Sequence, residues 1–148
     1  MTKTEENKII NQAVRILKSR LAQPEHFISN PQDAENFLTL KLANLEHEVF
    51  FIMFLNARHG VVKFTELFRG TIDGASVYSR EVVKAALKVN AKAVIFAHNH
   101  PSGIAEPSQA DRLITARLVK ALELIEVNVL DHFIVGENIY SFSENGLL

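Results

Sequence analysis

Cysteine is absent from the 148-residue chain, so neither a disulfide nor a thiolate metal ligand can form, and any metal must sit on nitrogen and oxygen. That removes the zinc-finger class. It also counts against a metal-dependent deaminase, whose signature needs a His-x-Glu and a Pro-Cys-x-x-Cys. An excess of charge of either sign is missing too: 16 Lys+Arg against 17 Asp+Glu leave a formal net charge of -1. Nucleic-acid binding rests on Lys and Arg neutralising phosphates, so direct contact with DNA or RNA is not expected from this balance. No apolar run approaches the length needed to span a bilayer. The start, Met1-Thr-Lys-Thr-Glu-Glu6, leads into a charged amphipathic segment in place of an apolar signal core. The expectation is a soluble, cytoplasmic protein with no membrane partner. Repeats, low-complexity tracts and internal linkers are also lacking. What remains, 47% hydrophobic and 22% charged residues, is enough for one domain with a real core.

The most informative stretch is His98-Asn99-His100-Pro101, followed after six residues by Ser108-Gln109-Ala110-Asp111. The run before it, Ala93-Val94-Ile95-Phe96-Ala97, is short, apolar and rich in β-formers, which reads as a buried strand. On extended backbone, residues i and i+2 point to the same side, so His98 and His100 can converge while Asn99 faces away. Pro101 biases His100 away from helical dihedrals. Gln109 to Glu126 reads as a helix with an apolar face of Leu113, Ala116, Leu118, Ala121, Leu122 and Ile125, and Asp111 falls in its first turn. Two imidazoles and one carboxylate, with a fourth position left for water, are what a catalytic zinc site requires. Ser108-x-x-Asp111 is equally close to a capping box, with Ser108 as N-cap.

The remaining pattern is helical over Glu5 to Ala22, where Ile9, Ile10, Ala13, Val14, Leu17 and Leu21 recur at helical spacing. Ser29 or Asn30 is placed to cap a second helix from Pro31 through Ala34, Phe37, Leu38 and Leu42 toward Leu45. Val49 to Leu55 is apolar on both faces, hence a central strand. Asn56 to Gly60 is a hairpin turn, with Gly60 able to take positive φ, and Val61 to Phe68 the return strand. Gly70 and Gly74 bracket a loop, and Ser79 is placed to cap a helix carrying Val82, Val83, Ala86, Leu87 and Val89. Val127 to Val135 and Ile139 to Phe142 form a hairpin around Gly136-Glu-Asn138. The order ααββαβαββ suits an α/β fold, a mixed sheet flanked by helices.

His98-x-His100-Pro101, six residues, Ser108, two residues and Asp111 resemble the JAMM signature of MPN-domain zinc metalloproteases. The wider blocks resemble the RadC family of bacterial JAMM-domain proteins: His98-Asn-His-Pro-Ser-Gly103, Pro107-Ser108, Leu67-Phe-Arg-Gly-Thr-Ile-Asp-Gly-Ala75, Arg80-Glu-Val-Val-Lys-Ala-Ala86 and Leu130-Asp-His132. The resemblance runs from about Ile28 to Leu148. It implies an MPN (cytidine deaminase-like) fold, with residues 1–26 as an N-terminal helical extension and 27–148 as the RadC-like JAMM/MPN domain. Full-length RadC proteins carry a helix-hairpin-helix region that 26 residues are too few to hold, so the chain looks like the short forms found in prophages and mobile elements.

The same resemblance implies that His98, His100 and Asp111 bind Zn2+ and that Ser108 helps stabilise an oxyanion. A Glu upstream of the histidines would carry protons for cleavage of a peptide or isopeptide bond in an unknown peptide or protein substrate. Glu48 matches that position best, directly before the apolar strand; Glu46 and Glu66 are competitors. Leu130-Asp131-His132 invites a role behind the metal ligands, although a structural hydrogen bond is the plainer reading. Ser102 lacks a general base that could activate it as a nucleophile, and 102–107 is expected to be a surface loop beside the metal where substrate selection could reside. His26, His47 and His59 read as surface residues. The alternative is a non-enzymatic DNA-repair or mobile-element accessory protein, in which a homodimer could assemble a local basic groove.

Overall fold

A computed structural model describes residues 1–23, 31–70 and 77–148 of the chain. Ser29 and Asn30 as caps, His26, and the loop at Gly74 lie outside the described residues. The elements are α1 (Lys3–Leu21), α2 (Pro31–Leu42), β1 (Val49–Leu55), β2 (Val61–Arg69), α3 (Ser79–Lys88), β3 (Ala93–Asn99), α4 (Gln109–Glu123), β4 (Asn128–Val135) and β5 (Ile139–Ser141), in the order the sequence suggests. α1 starts two residues before Glu5 because Thr2 forms a capping box. Its side chain accepts from the Glu5 amide, and the Glu5 carboxylate accepts from the Thr2 amide at 3.0 Å. No described helix is long and apolar enough to cross a membrane.

The five strands form one mixed sheet ordered β2-β1-β3-β4-β5, with β3 and β4 parallel and every other pair antiparallel. A parallel pair needs a crossover, and α4 supplies it. β1 is a central strand, as its two apolar faces require. Alternation along the strands sorts the core into two layers. Val49, Met53, Leu55, Ile95 and Phe133 pack with Leu17 and Leu21 of α1 and Phe37, Leu38 and Leu42 of α2. Phe50, Ile52, Phe54, Val94 and Phe96 pack with Val82 and Ala86 of α3 and Ile114, Leu118 and Leu122 of α4 on the other face. A sheet buried on both sides is the layered α/β solution.

Several local expectations are corrected. It is His59, with φ 61°, and not Gly60, that takes the left-handed conformation of the β1–β2 turn. Gly60 is needed for space, since a Cβ there would stand 3.3 Å from the Ala22 carbonyl at the end of α1. His59 is accordingly half-buried. Ser79 does not cap α3: the N-cap is Tyr78, without a side-chain cap bond. The buried stripe of α4 is Asp111, Ile114, Thr115, Leu118 and Leu122, whereas Leu113 is 61% exposed. Leu87, expected on the apolar face of α3, is likewise exposed. Finally, α4 stops at Glu123 because Glu126 enters the left-handed region (φ 59°) and the Val127 amide closes on the Leu122 carbonyl at 3.0 Å, a helix ending made without glycine.

One irregularity decides which side chains of β4 face the α3/α4 layer. Val129 is level with Val94 of β3, yet Asp131 is level with Ile95, so Leu130 is an extra residue that inverts the alternation. After it, His132 lies level with Phe96 on the same face as His98.

Candidate metal centre

β3 extends through Asn99, two residues past the apolar run, so the two histidines flank the strand's end, with His98 still paired within the sheet. His98 is fully buried and paired across the sheet with Phe50. His100 follows just beyond the strand, where its amide still donates to the Val135 carbonyl at 2.9 Å. The i, i+2 spacing brings the two imidazoles to 4.9 Å between centroids. Asp111 enters from the first turn of α4, 3% exposed. His98 Nε2 lies 3.2 Å from Asp111 Oδ1, His100 Nε2 lies 3.1 Å from Asp111 Oδ2, and the two Nε2 atoms are 3.1 Å apart. One ligand atom from each residue falls within 4.8 Å of the others, so the three form a group that could hold a metal ion.

Ser108 and Asp111 form the reciprocal capping box. The Asp111 amide donates to Ser108 Oγ at 3.1 Å and the Ser108 amide donates to Asp111 Oδ2 at 2.8 Å. The cap and the ligand triangle therefore share one carboxylate, which locks the aspartate rotamer toward the histidines.

The chemistry of the donors fits a cation. His100 Nδ1 lies 2.8 Å from the Ile104 carbonyl, which can only accept, so that nitrogen carries the hydrogen and neutral His100 turns a bare Nε2 into the triangle. An imidazole lone pair and two carboxylate oxygens then converge beside His98 Nε2, an arrangement that a proton or a metal ion must neutralise. The hydrogen bond to Asp111 raises His100 above the ordinary histidine value against the opposing effect of burial, helped by the Ile104 carbonyl and by the charges of Asp111 and Glu48. Burial pushes Asp111 upward, but its pairing with the adjacent His100 and His98 overrides it and holds the carboxyl well below the usual carboxylate range.

Glu48 immediately precedes β1, on the even-numbered set with Phe50, and is half-buried. Its charge is felt at His100. Glu46 is exposed, and Glu66, exposed on the edge strand β2, is held by Arg69 at 2.9 Å. The segment carrying Glu48 is clamped by a residue that the sequence reading leaves merely facing away. Asn99, 2% exposed, accepts from the Val49 amide at 2.7 Å and donates to the His47 carbonyl at 3.0 Å. A polar side chain next to a ligand in an otherwise apolar strand was the available signal.

Behind His98 lies a buried polar chain. His98 Nδ1 meets His132 Nε2 at 2.7 Å, His132 Nδ1 meets Thr115 Oγ1 at 2.6 Å, and Thr115 Oγ1 donates to the Asp111 carbonyl at 2.8 Å. His132 stacks on Phe142 at 4.6 Å, and burial, reinforced by nearby His98, holds it well below the ordinary histidine value, so it is neutral. Asp131 points elsewhere, accepting from the His132 and Ser143 amides and from the Ser141 hydroxyl. Thr115 carries no sequence signal beyond being a polar residue on an apolar helix face.

The loop after Pro101 is held by Gly136. A Cβ at Gly136 would stand 2.5 Å from the Gly103 carbonyl oxygen and 3.1 Å from the Ala105 amide nitrogen, both backbone atoms that cannot swing aside. Gly136→Ala is therefore expected to push the loop away from Ile104's grip on His100, destabilising the fold by about 1–3 kcal/mol. Thermal unfolding checks it; a melting curve superposable on the parent's would contradict the close approach.

Residues 28–147 match the family described as the RadC-like JAB domain. A UPF0758 protein of Vibrio cholerae is 52% identical over 143 residues, which is 97% of this chain and 90% of that protein. A UPF0758 protein of Methylibium petroleiphilum is 54% identical over 95% of this chain but 63% of its own length, and one of Leptothrix cholodnii is 51% identical over 99% of this chain and 66% of its own. The chain thus spans under two thirds of some relatives and nearly all of another.

Proposed function

The chain belongs to the RadC-like JAB domain family, and on that premise we propose that it is a zinc-dependent hydrolase cleaving a peptide or isopeptide bond. In this reading His98, His100 and Asp111 hold the metal, Glu48 carries protons and Ser108 binds the oxyanion. The observation that supports it is the convergence of three nitrogen and oxygen ligand atoms within 4.8 Å of one another, with the charge of Glu48 felt at one of them. Two histidines and one carboxylate suit zinc and leave a position open. When bound, zinc supplies a Lewis acid that polarises a carbonyl and makes water acidic near neutral pH.

Glu48 takes a proton from the attacking water and returns it to the departing nitrogen, which leaves as an amine and not as an amide anion. Ser108 Oγ uses a lone pair to accept from the Asp111 amide, so its hydrogen remains for a developing oxyanion. Capping and oxyanion binding then use different parts of one hydroxyl. Asp111, held ionised, keeps a negative charge opposite the cation at any working pH.

The test is metal content together with turnover. The purified protein is expected to contain about one zinc per chain and to cleave members of a panel of peptide- and isopeptide-linked fluorogenic substrates, with activity lost on chelation and restored by zinc. Cleavage that survives full chelation would overturn the reading. The sign of its pH dependence follows from His100. Its raised value means that a proton is held there until higher pH than on a free imidazole, and metal must displace it. Zinc affinity therefore rises with pH, and the zinc-induced gain in melting temperature is expected to grow between about pH 5.5 and 8. Neutral His132 binds no proton in either form and does not change the sign.

A further inference from the structure

We infer that Thr115, acting through His132, sets the tautomer of His98, so that a bare Nε2 lone pair is turned toward the ion before any ion arrives. This rests on the metal-site reading above. It follows from counting hydrogens along the buried chain. The Thr115 hydroxyl has a single hydrogen, and it goes to the Asp111 carbonyl at 2.8 Å. Toward His132 Nδ1, at 2.6 Å, Thr115 Oγ1 can then only accept, so His132 carries its hydrogen on Nδ1. Neutral His132 is left with a lone pair on Nε2, and that atom, 2.7 Å from His98 Nδ1, must accept in turn. His98 therefore has its hydrogen on Nδ1 and a lone pair on Nε2, the atom 3.2 Å from Asp111 Oδ1.

The opposite polarity is costly at the Thr115 end. If Thr115 pointed its hydrogen at His132, its oxygen would face the Asp111 carbonyl oxygen lone pair to lone pair, and His98 would present an N–H in place of a lone pair to an incoming ion. All three side chains are at most 1% exposed, so no solvent partner relieves the mismatch at Thr115. The anchor is the main chain of Asp111, the same residue whose carboxylate completes the triangle. Thr115 and His132 are thus positioning residues, and one turn of α4 couples the direction of the chain to the placement of the acid.

Histidine side-chain 15N–1H NMR of metal-free and zinc-loaded protein at about pH 8, where free imidazole is neutral, reads the tautomers directly. The expected result is Nδ1–H on both His98 and His132 in both states. An Nε2–H tautomer at His132 in either state, or at His98 without metal, would overturn the inference. A competition assay with a chelating dye gives a second readout. Thr115→Val, which fills the same space without a hydroxyl, is expected to weaken zinc binding by about 10-fold or more, while Thr115→Ser retains parent-like affinity. Unchanged affinity in Thr115→Val would also overturn it. A parent that takes up no zinc would sink the hydrolase reading alone, because the metal-free tautomers still decide the relay.

Discussion

Asp111→Ala is expected to leave the protein without stoichiometric zinc and less stable even before metal is added. The carboxylate does three jobs at once: it faces His98 and His100 and caps the amide of Ser108. Losing the cap costs about 1 kcal/mol. Breaking a buried pair adds to that, up to about 3–5 kcal/mol where a charged partner is stranded. Asp111→Asn separates the contributions, because an amide oxygen can still accept from the Ser108 amide while carrying no charge. That variant is expected to keep most of the helix-cap stability yet lose zinc affinity by at least about 100-fold, and His98→Ala to lose the metal as well. Mass-spectrometric metal content and thermal unfolding read both effects. One zinc per chain retained in Asp111→Ala would remove this residue from the site.

Glu48→Gln should bind zinc as the parent does and lose any hydrolysis the parent displays, by about 10²–10⁴-fold. Glutamine matches glutamate in shape but cannot accept and return a proton, so KM is expected to change little while kcat collapses. Glu46→Gln and Glu66→Gln are expected to retain turnover: the first is exposed and the second is engaged with Arg69. Equal kcat in Glu48→Gln and parent would move the base role to one of them.

Much of this architecture was legible in the chain because it is local. The i, i+2 spacing of His98 and His100 needs only extended backbone, and the Ser108-x-x-Asp111 spacing needs only the first turn of a helix, so both survive folding unchanged. Ligand and capping readings of Ser108 and Asp111 look like rivals in the sequence, yet a carboxylate has two oxygens with several lone pairs and has the capacity for both. The face of α4 was misjudged at Leu113 and Ile114, since adjacent apolar residues satisfy helical periodicity almost equally and only the packing surface chooses between them. The tight space at Gly60 is likewise invisible locally, because part of it is the Ala22 carbonyl at the end of α1, a contact between segments far apart in the chain.

From the sequence alone come the element order, the mixed α/β class and the identity of the three candidate ligands, because each depends on neighbours within a turn or a strand. The tertiary structure alone decides what stands behind them. The extra residue at Leu130 turns His132, and not Asp131, toward His98, and the burial of Thr115 between His132 and the Asp111 carbonyl gives the hydrogen-bond chain its direction. Strand register across a bulge is settled by the packing of whole layers, so a one-residue inversion of that kind has no local signature.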